Sequence, residues 1–194
     1  MKNNTRKNIL YIHHGGGQGG APNSLLYLLN NLNLNYYNPI VACNFYSENA
    51  KEFFQTNGFN PIHISIARFS HFYSGWWSLS KRKSIQAIIK WLFFNHPSSK
   101  REFKKILKKY QPDIVHLNSL SIVALSPVAK KMGFPVILHV RETAIKLSLF
   151  DIRWYWIRWL TNKYVDKLIY ISKDNQQKLT GKKITLLLFI TQSL

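Results

Sequence analysis

Five glycines stand within six positions, at Gly15, Gly16, Gly17, Gly19 and Gly20. Without side chains there, backbone amides can approach a ligand closely and φ can turn positive. A helix opening directly after the loop, at Ala21 and Pro22, adds the positive end of its dipole. A phosphate or carboxylate is the ligand such a site receives. No Lys-Ser or Lys-Thr follows the glycines, so this is not a Walker loop. Gly15, Gly17 and Gly20 fit the GxGxxG spacing of a dinucleotide fingerprint. However, no acidic residue stands near Cys43 and Asn44 to hold a ribose, which weakens that reading.

Three other sets of residues could join the loop. His13 and His14 precede it, and period-two geometry sends one toward a ligand and the other into packing. Asn118, Ser119 and Ser121 follow an apolar run; Asn118 could bind a sugar hydroxyl, or Asn118 or Ser119 could only cap a helix. Arg141 and Glu142 follow another run; Arg141 could clamp phosphate while Glu142 orients it or binds a hydroxyl, or the two could form a simple ion pair. His116 and His139 read as satisfied core histidines. There is no HExxH spacing, and the lone Cys43 completes no zinc set, so no metal is expected.

The elements that position these residues alternate. Ile9 to Ile12, Ile40 to Cys43, Ile62 to Ile64, Ile114 to Leu117, Val136 to Val140 and Val165 to Ile171 read as strands. Helices are expected from Ala21 past Leu32, over Glu48 to Thr56, and over Lys81 to Phe94 with Ile85, Ile88, Ile89 and Leu92 inward. Asn95-His96-Pro97 should stop that last helix, with Ser98 or Ser99 capping the next, which carries Phe103, Ile106, Leu107 and Tyr110. A further helix runs to about Met132, a long one covers Leu147 to Tyr164, and a short one ends at Leu179. Residues 65–80 read as an aromatic loop. The pattern predicts an α/β fold, a Rossmann-like, doubly wound and mostly parallel sheet. Three strand ends would then share one crevice.

Charge and length bound the rest. Twenty-seven basic residues against eight acidic ones give +19 over 194 residues. That field attracts phosphate-bearing partners: nucleic acid, anionic lipid or a phosphorylated substrate. Nucleic acid is the weakest of these, because no helix-turn-helix, zinc-finger or RRM pattern is present. No run reaches the ~18 apolar residues of a membrane span. Trp154, Tyr155, Trp156 and Trp159, among Arg153, Arg158 and Lys163, suit either a bilayer interface or packing against the sheet.

The stretches ILYIHHGGGQGGAPNSLLYLL, PDIVHLNSLSIVALSPVAKKMGFPVILHVRE and VDKLIYISKDNQQKL resemble the N-terminal domain of a family 4 glycosyltransferase, over residues 8–179. The resemblance implies one half of a two-domain GT-B fold, in which this half mainly binds the acceptor and a C-terminal half grips the nucleotide sugar. It implies that Gly16, Gly17, Gly19 and Gly20 lie near the donor's phosphate or sugar, with His14 and Arg141 beside them. Asn118 falls where some relatives carry a histidine or another polar residue near the reacting centre, and Glu142 faces the same cleft. Residues 1–7 are expected to be a flexible start and 180–194 an atypical apolar tail, a seventh strand or the product of a truncation or frameshift. The expected role is the acceptor-side part of a transferase making surface polysaccharide or lipid-linked glycan, inactive alone. Its partners would be a nucleotide-sugar co-substrate, a glycan or lipid-linked acceptor, a separate C-terminal domain and an anionic membrane surface. No tightly bound cofactor is expected, and the location is cytoplasmic, peripheral on the membrane's cytoplasmic face. The alternative is a non-catalytic module binding a nucleotide or sugar phosphate.

Overall fold

The computed structural model describes residues 6–15, 19–45, 48–67, 82–142, 151–179 and 185–187. Among them, seven strands form one sheet: β1 (Lys7–His13), β2 (Tyr37–Cys43), β3 (Ile62–His63), β4 (Ile114–Leu117), β5 (Val136–Val140), β6 (Lys167–Tyr170) and β7 (Thr185–Leu187). Their order is β3-β2-β1-β4-β5-β6-β7, and each neighbouring pair is parallel. This is a Rossmann-like, doubly wound α/β sheet, as the alternating pattern predicts. The order reverses between β1 and β4, so the switch point lies at the end of the strand that feeds the glycine loop. Three residues of the apolar tail supply β7.

Helices α1 (Gly20–Asn30), α2 (Glu48–Thr56), α3 (Arg82–Lys90), α4 (His96–Tyr110), α5 (Ser126–Lys131), α6 (Ile152–Tyr164) and α7 (Lys173–Leu179) connect the strands. Alternate residues of each strand feed opposite layers. Leu10, Ile12, Val115, Leu117, Val136, Leu138 and Val140 pack with Phe103 and Leu107 of α4 and Ile157 and Leu160 of α6. Ile9, Tyr11, Val41 and Cys43 pack with Leu25 and Leu29 of α1 and Ala50 and Phe54 of α2. Burial of such side chains contributes about 1.5–3 kcal/mol each. Parallel strands buried on both faces explain why the sequence shows unbroken apolar runs rather than alternation.

Two aspartates fasten the amino edge of the sheet. Asn8 N–H donates to Asp113 Oδ2 at 2.8 Å, and Val136 N–H donates to Asp166 Oδ2 at 2.8 Å. Two of the eight acidic residues are thus committed at the edge remote from the glycine loop.

Several local expectations are corrected. Asn95-His96-Pro97 does not stop a helix. A π-helical turn, Trp91–Asn95, joins α3 directly to α4, and Pro97 falls in the first turn of α4. Proline lacks an N–H, and a first-turn position needs none. Neither serine caps: α4 has no side-chain cap, and Ser99 Oγ instead accepts from Ala67 N–H at 2.7 Å. The apolar stripe of α3 is not an inner face, since Ile85, Ile89 and Leu92 are exposed and Trp91 is buried in their place. The helix expected to reach Met132 divides into a 3-10 turn, Leu120–Leu125, and α5. The long helix begins at Ile152 within the described residues, and the expected start at Leu147 lies outside them. Most of the aromatic loop, residues 68–80, and Gly16 and Gly17 lie outside them too.

Candidate functional site

The ends of β1, β4 and β5 meet at one edge, and the residues that follow them touch. The register pairs Ile12 of β1 with Leu117 of β4, and Leu117 with Leu138 of β5. His13, Asn118, His139 and Arg141 therefore come from neighbouring strands on one face, the face covered by α1.

Arg141 is the centre of this cluster. Its Nε donates to Asn118 Oδ1 at 2.8 Å, Nη1 to Ser24 Oγ at 2.6 Å, and Nη2 to His139 Nδ1 at 3.3 Å. Ser24 lies in α1, so this side chain ties β5 to the helix that follows the glycine loop. A guanidinium only donates, so His139 accepts at Nδ1 and carries its proton on Nε2. Burial lowers the Arg141 pKa to about 10, while Glu142 acts to raise it. The guanidinium remains charged at neutral pH. Its acceptors are all neutral, and Arg141 does not form the ion pair with Glu142 that the sequence allows.

Asn118 is fully buried, and both ends of its amide are engaged. Oδ1 accepts from Arg141, and Nδ2 lies 3.1 Å from His13 Nδ1. His13 is itself buried and packs edge-on against Phe54, with ring centroids 5.9 Å apart. Of the two adjacent histidines, His13 is thus the packing one, and His14 stands at the crevice.

Glu142 turns to the other side of the crevice. Oε2 accepts from Leu120 N–H at 2.9 Å, and Oε1 accepts from the Ser119 hydroxyl. Ser119 Oγ also accepts from Ser121 N–H at 3.0 Å, so Ser119 caps the 3-10 turn. His14 Nε2 lies 3.8 Å from Glu142 Oε1. The cap expected of either Asn118 or Ser119 belongs to Ser119.

The described part of the glycine loop borders this cluster. A Cβ at Gly15 would come within 3.3 Å of His13 Nε2. Gly19 caps α1 with φ 123° and ψ 177°, a conformation essentially reserved for glycine. Gly20 opens α1. Gly19, Gly20, His14, Asn118, Arg141 and Glu142 are thus brought to one sheet edge, and Gly16 and Gly17 lie outside the described residues.

Beneath Arg141, on the same sheet face, lies a file of rings. His116 sits 5.7 Å from His139 and 4.9 Å from Tyr11, centroid to centroid. Both histidines are buried, as expected of core residues, yet Nε2 of each has no hydrogen-bond partner, so the satisfaction expected of them is incomplete. Burial first, then the Arg141 charge, lowers their pKa values, to about 3 for His116 and about 2 for His139. Among the described residues, no three His, Cys, Asp or Glu side chains group to hold a metal ion. No helix among them is long and apolar enough to cross a membrane.

Residues 18–185 match the family model described as Glycosyltransferase Family 4. No curated protein sequence matches the chain. Solved structures share its fold at low identity. Anabaena Alr3699/HepE, crystallised with UDP-glucose, aligns at TM-score 0.60 and 13% identity, over 89% of this chain and 39% of that one. MurG of Acinetobacter baumannii aligns at TM-score 0.53 and 11% identity, over 92% and 45%. UDP-GlcNAc 2-epimerase of Methanocaldococcus jannaschii aligns at TM-score 0.53 and 16% identity, over 89% and 41%. The chain spans about two fifths of the length of these structures. The fold alone is shared by a Streptomyces glycosyltransferase, SsfS6, and by UDP-GlcNAc 2-epimerase.

Proposed function

Because the chain belongs to glycosyltransferase family 4, we propose that it is the acceptor-side half of a nucleotide-sugar-dependent glycosyltransferase. The observation that carries this reading is Arg141: a positioned guanidinium whose internal partners are all neutral, beside a glycine turn at the switch point. Three of its five N–H groups are taken, which leaves two for an anion. In this reading Gly16, Gly17, Gly19 and Gly20 approach the donor phosphate or its sugar. Arg141 contributes charge, and Asn118 acts through Arg141 as a positioning residue. His14 and Glu142 are the groups at the crevice that a sugar or acceptor hydroxyl would meet, and Glu142 is the candidate catalytic carboxylate. Transfer requires a second wall, supplied by a donor-binding domain, and the half described here is inactive without it. The acceptor is a surface polysaccharide or a lipid-linked glycan, made at the cytoplasmic face of a membrane to which the chain binds peripherally. The surplus of 19 positive charges supports that part.

Saturation-transfer NMR with UDP-glucose as probe tests the donor side. Transfer to the diphosphate-bearing ligand is expected, weak but specific, and lost in Arg141→Ala. Equal signals from Arg141→Ala and the unaltered chain would refute the assignment of Arg141. Sugar transfer by the unaltered chain alone would refute the need for a second wall.

A further inference from the structure

The helical arm Arg82–Tyr110 carries an exposed apolar surface among the described residues. Ile85 is 38% exposed, Ile89 48%, Leu92 47%, Phe93 71% and Phe94 69%. The π-helical turn Trp91–Asn95 accounts for the sharpest part of this surface. It widens the helix by about one residue per turn. Trp91 and His96 can then both point inward, stacked with centroids 4.5 Å apart, while Leu92, Phe93, Phe94 and Asn95 between them all face out. Three consecutive large apolar side chains in solvent cannot be the by-product of an amphipathic pattern, which exposes about half of each turn.

The charges around this ridge are of one sign. The arm holds nine Lys and Arg residues, Arg82, Lys83, Lys90, Lys100, Arg101, Lys104, Lys105, Lys108 and Lys109, and one acid, Glu102. Glu102 is turned inward, where its Oε2 accepts from Ser65 N–H at 2.7 Å. Arg101 is exposed and follows Phe94 by two turns on the same face, about 10 Å along the axis at 1.5 Å per residue, about one Debye length at physiological salt. Behind Phe94 opens a cleft of about 420 Å³, lined in part by Lys90, Phe94, Asn95 and Ser98. Phe94 therefore belongs both to the ridge and to a polar, cationic recess.

We propose that this arm seats the chain on an anionic bilayer, with Leu92, Phe93 and Phe94 entering the headgroup region and Lys90 and Arg101 meeting lipid phosphates. The proposal rests on the membrane-side acceptor reading above and names the surface that serves it. A second copy of the chain is the weaker occupant, because a symmetric contact would oppose Lys90 and Arg101 to their own copies, with Glu102 turned inward. The exposed residues of α6, Ile152, Tyr155 and Trp159, lie on a different helix and serve as the control.

The test is co-sedimentation of the 194-residue chain with vesicles of phosphatidylcholine alone, or with about one part in four of phosphatidylglycerol. Binding to the anionic vesicles only is expected, with a loss of roughly tenfold or more in Phe93→Ser/Phe94→Ser. Trp159→Ser should bind as the unaltered chain does. Cys43 is buried and is the only cysteine, so Phe93→Cys can carry an environment-sensitive fluorophore selectively. Its emission should shift to the blue on anionic vesicles, which reports insertion even if the double variant folds poorly. No binding of the unaltered chain to either vesicle would sink the membrane reading as a whole. Binding that survives in Phe93→Ser/Phe94→Ser but fails in Trp159→Ser would overturn the arm alone. A concentration-dependent blue shift without vesicles would instead assign the ridge to a second copy.

Discussion

Acidification should destabilise this chain well above the pH at which carboxylates titrate. His96, His116 and His139 are all buried, and burial holds their pKa values at about 4, about 3 and about 2. Each folded value lies below the unfolded one of about 6.5. Below pH 6.5 the unfolded chain therefore binds protons that the native chain does not. Stability is full above about pH 6.5 and falls as pH drops toward the folded values. By pH 5 an unfolded imidazole is almost fully charged, so each buried neutral one costs about 2 kcal/mol. Three together cost about 4–6 kcal/mol, a large share of the 5–15 kcal/mol of a typical domain. Urea unfolding followed by circular dichroism at pH 7.5, 6 and 5 is the assay. With a slope near 2 kcal/mol per molar, the midpoint should fall by about 2–3 M over that range. In His96→Leu/His116→Leu, about two thirds of the fall should vanish, whatever the variant's stability at pH 7.5. A flat midpoint down to pH 5, or an unchanged slope in the variant, would refute the burial of neutral imidazoles.

Other outcomes follow from single contacts. Gly19→Ala must hold φ near 123° with a Cβ and should lose about 1–3 kcal/mol in urea unfolding. Ser119→Ala removes the cap of the 3-10 turn and a partner of Glu142, and should cost about 1–2 kcal/mol by the same measurement. Asn118→Leu strips Arg141 of its Nε acceptor. It should lower the melting temperature by about 5–10 °C in calorimetry, as expected for losing a charge-assisted bond worth about 1.5–3 kcal/mol. Ser99→Ala leaves Ala67 N–H without its acceptor and should speed hydrogen exchange at that amide.

The sheet was legible because parallel strands buried on both faces leave continuous apolar runs. All six expected strands occur, two with the expected ends and the others with ends shifted by up to three residues. The glycine loop, the Arg141–Glu142 pair and Asn118 could be placed at one edge because topology alone sends strand ends there. What Arg141 touches was not legible, since Ser24 lies 117 positions away in the chain and no local pattern links them. The division of labour between Asn118 and Ser119 was equally hidden, because it depends on which side of the strand end each side chain leaves. The continuous α3–α4 arm was misread for a physical reason. A π-helical turn has no period of its own, and a proline after Asn and His looks like a stop when it is a first-turn residue. That same turn is why the apolar stripe of α3 read as core: helical periodicity shows that a face is apolar, not what covers it.

The arrangement around Arg141 explains why the polar file beneath it exists. A guanidinium held by a carboxylate would be neutralised before any ligand arrived. Here the nearest carboxylate, Glu142, is spent on Ser119 and on Leu120 N–H, and the guanidinium is held by an amide, a hydroxyl and an imidazole. Orientation is thus fixed without cancelling charge. The cost falls on the histidines. His139 must stay neutral to accept from Arg141, and a second imidazole lies 5.7 Å behind it in a site where protonation is opposed by burial and by the same cation. Acid sensitivity and anion affinity should therefore be linked. An anion bound at Arg141 would offset the cation that helps depress both imidazoles. Pyrophosphate near saturation should then raise stability at pH 5.5, and raise it less in Arg141→Ala. Equal stabilisation of both proteins would show that the anion binds elsewhere on the basic surface, and would detach Arg141 from the site.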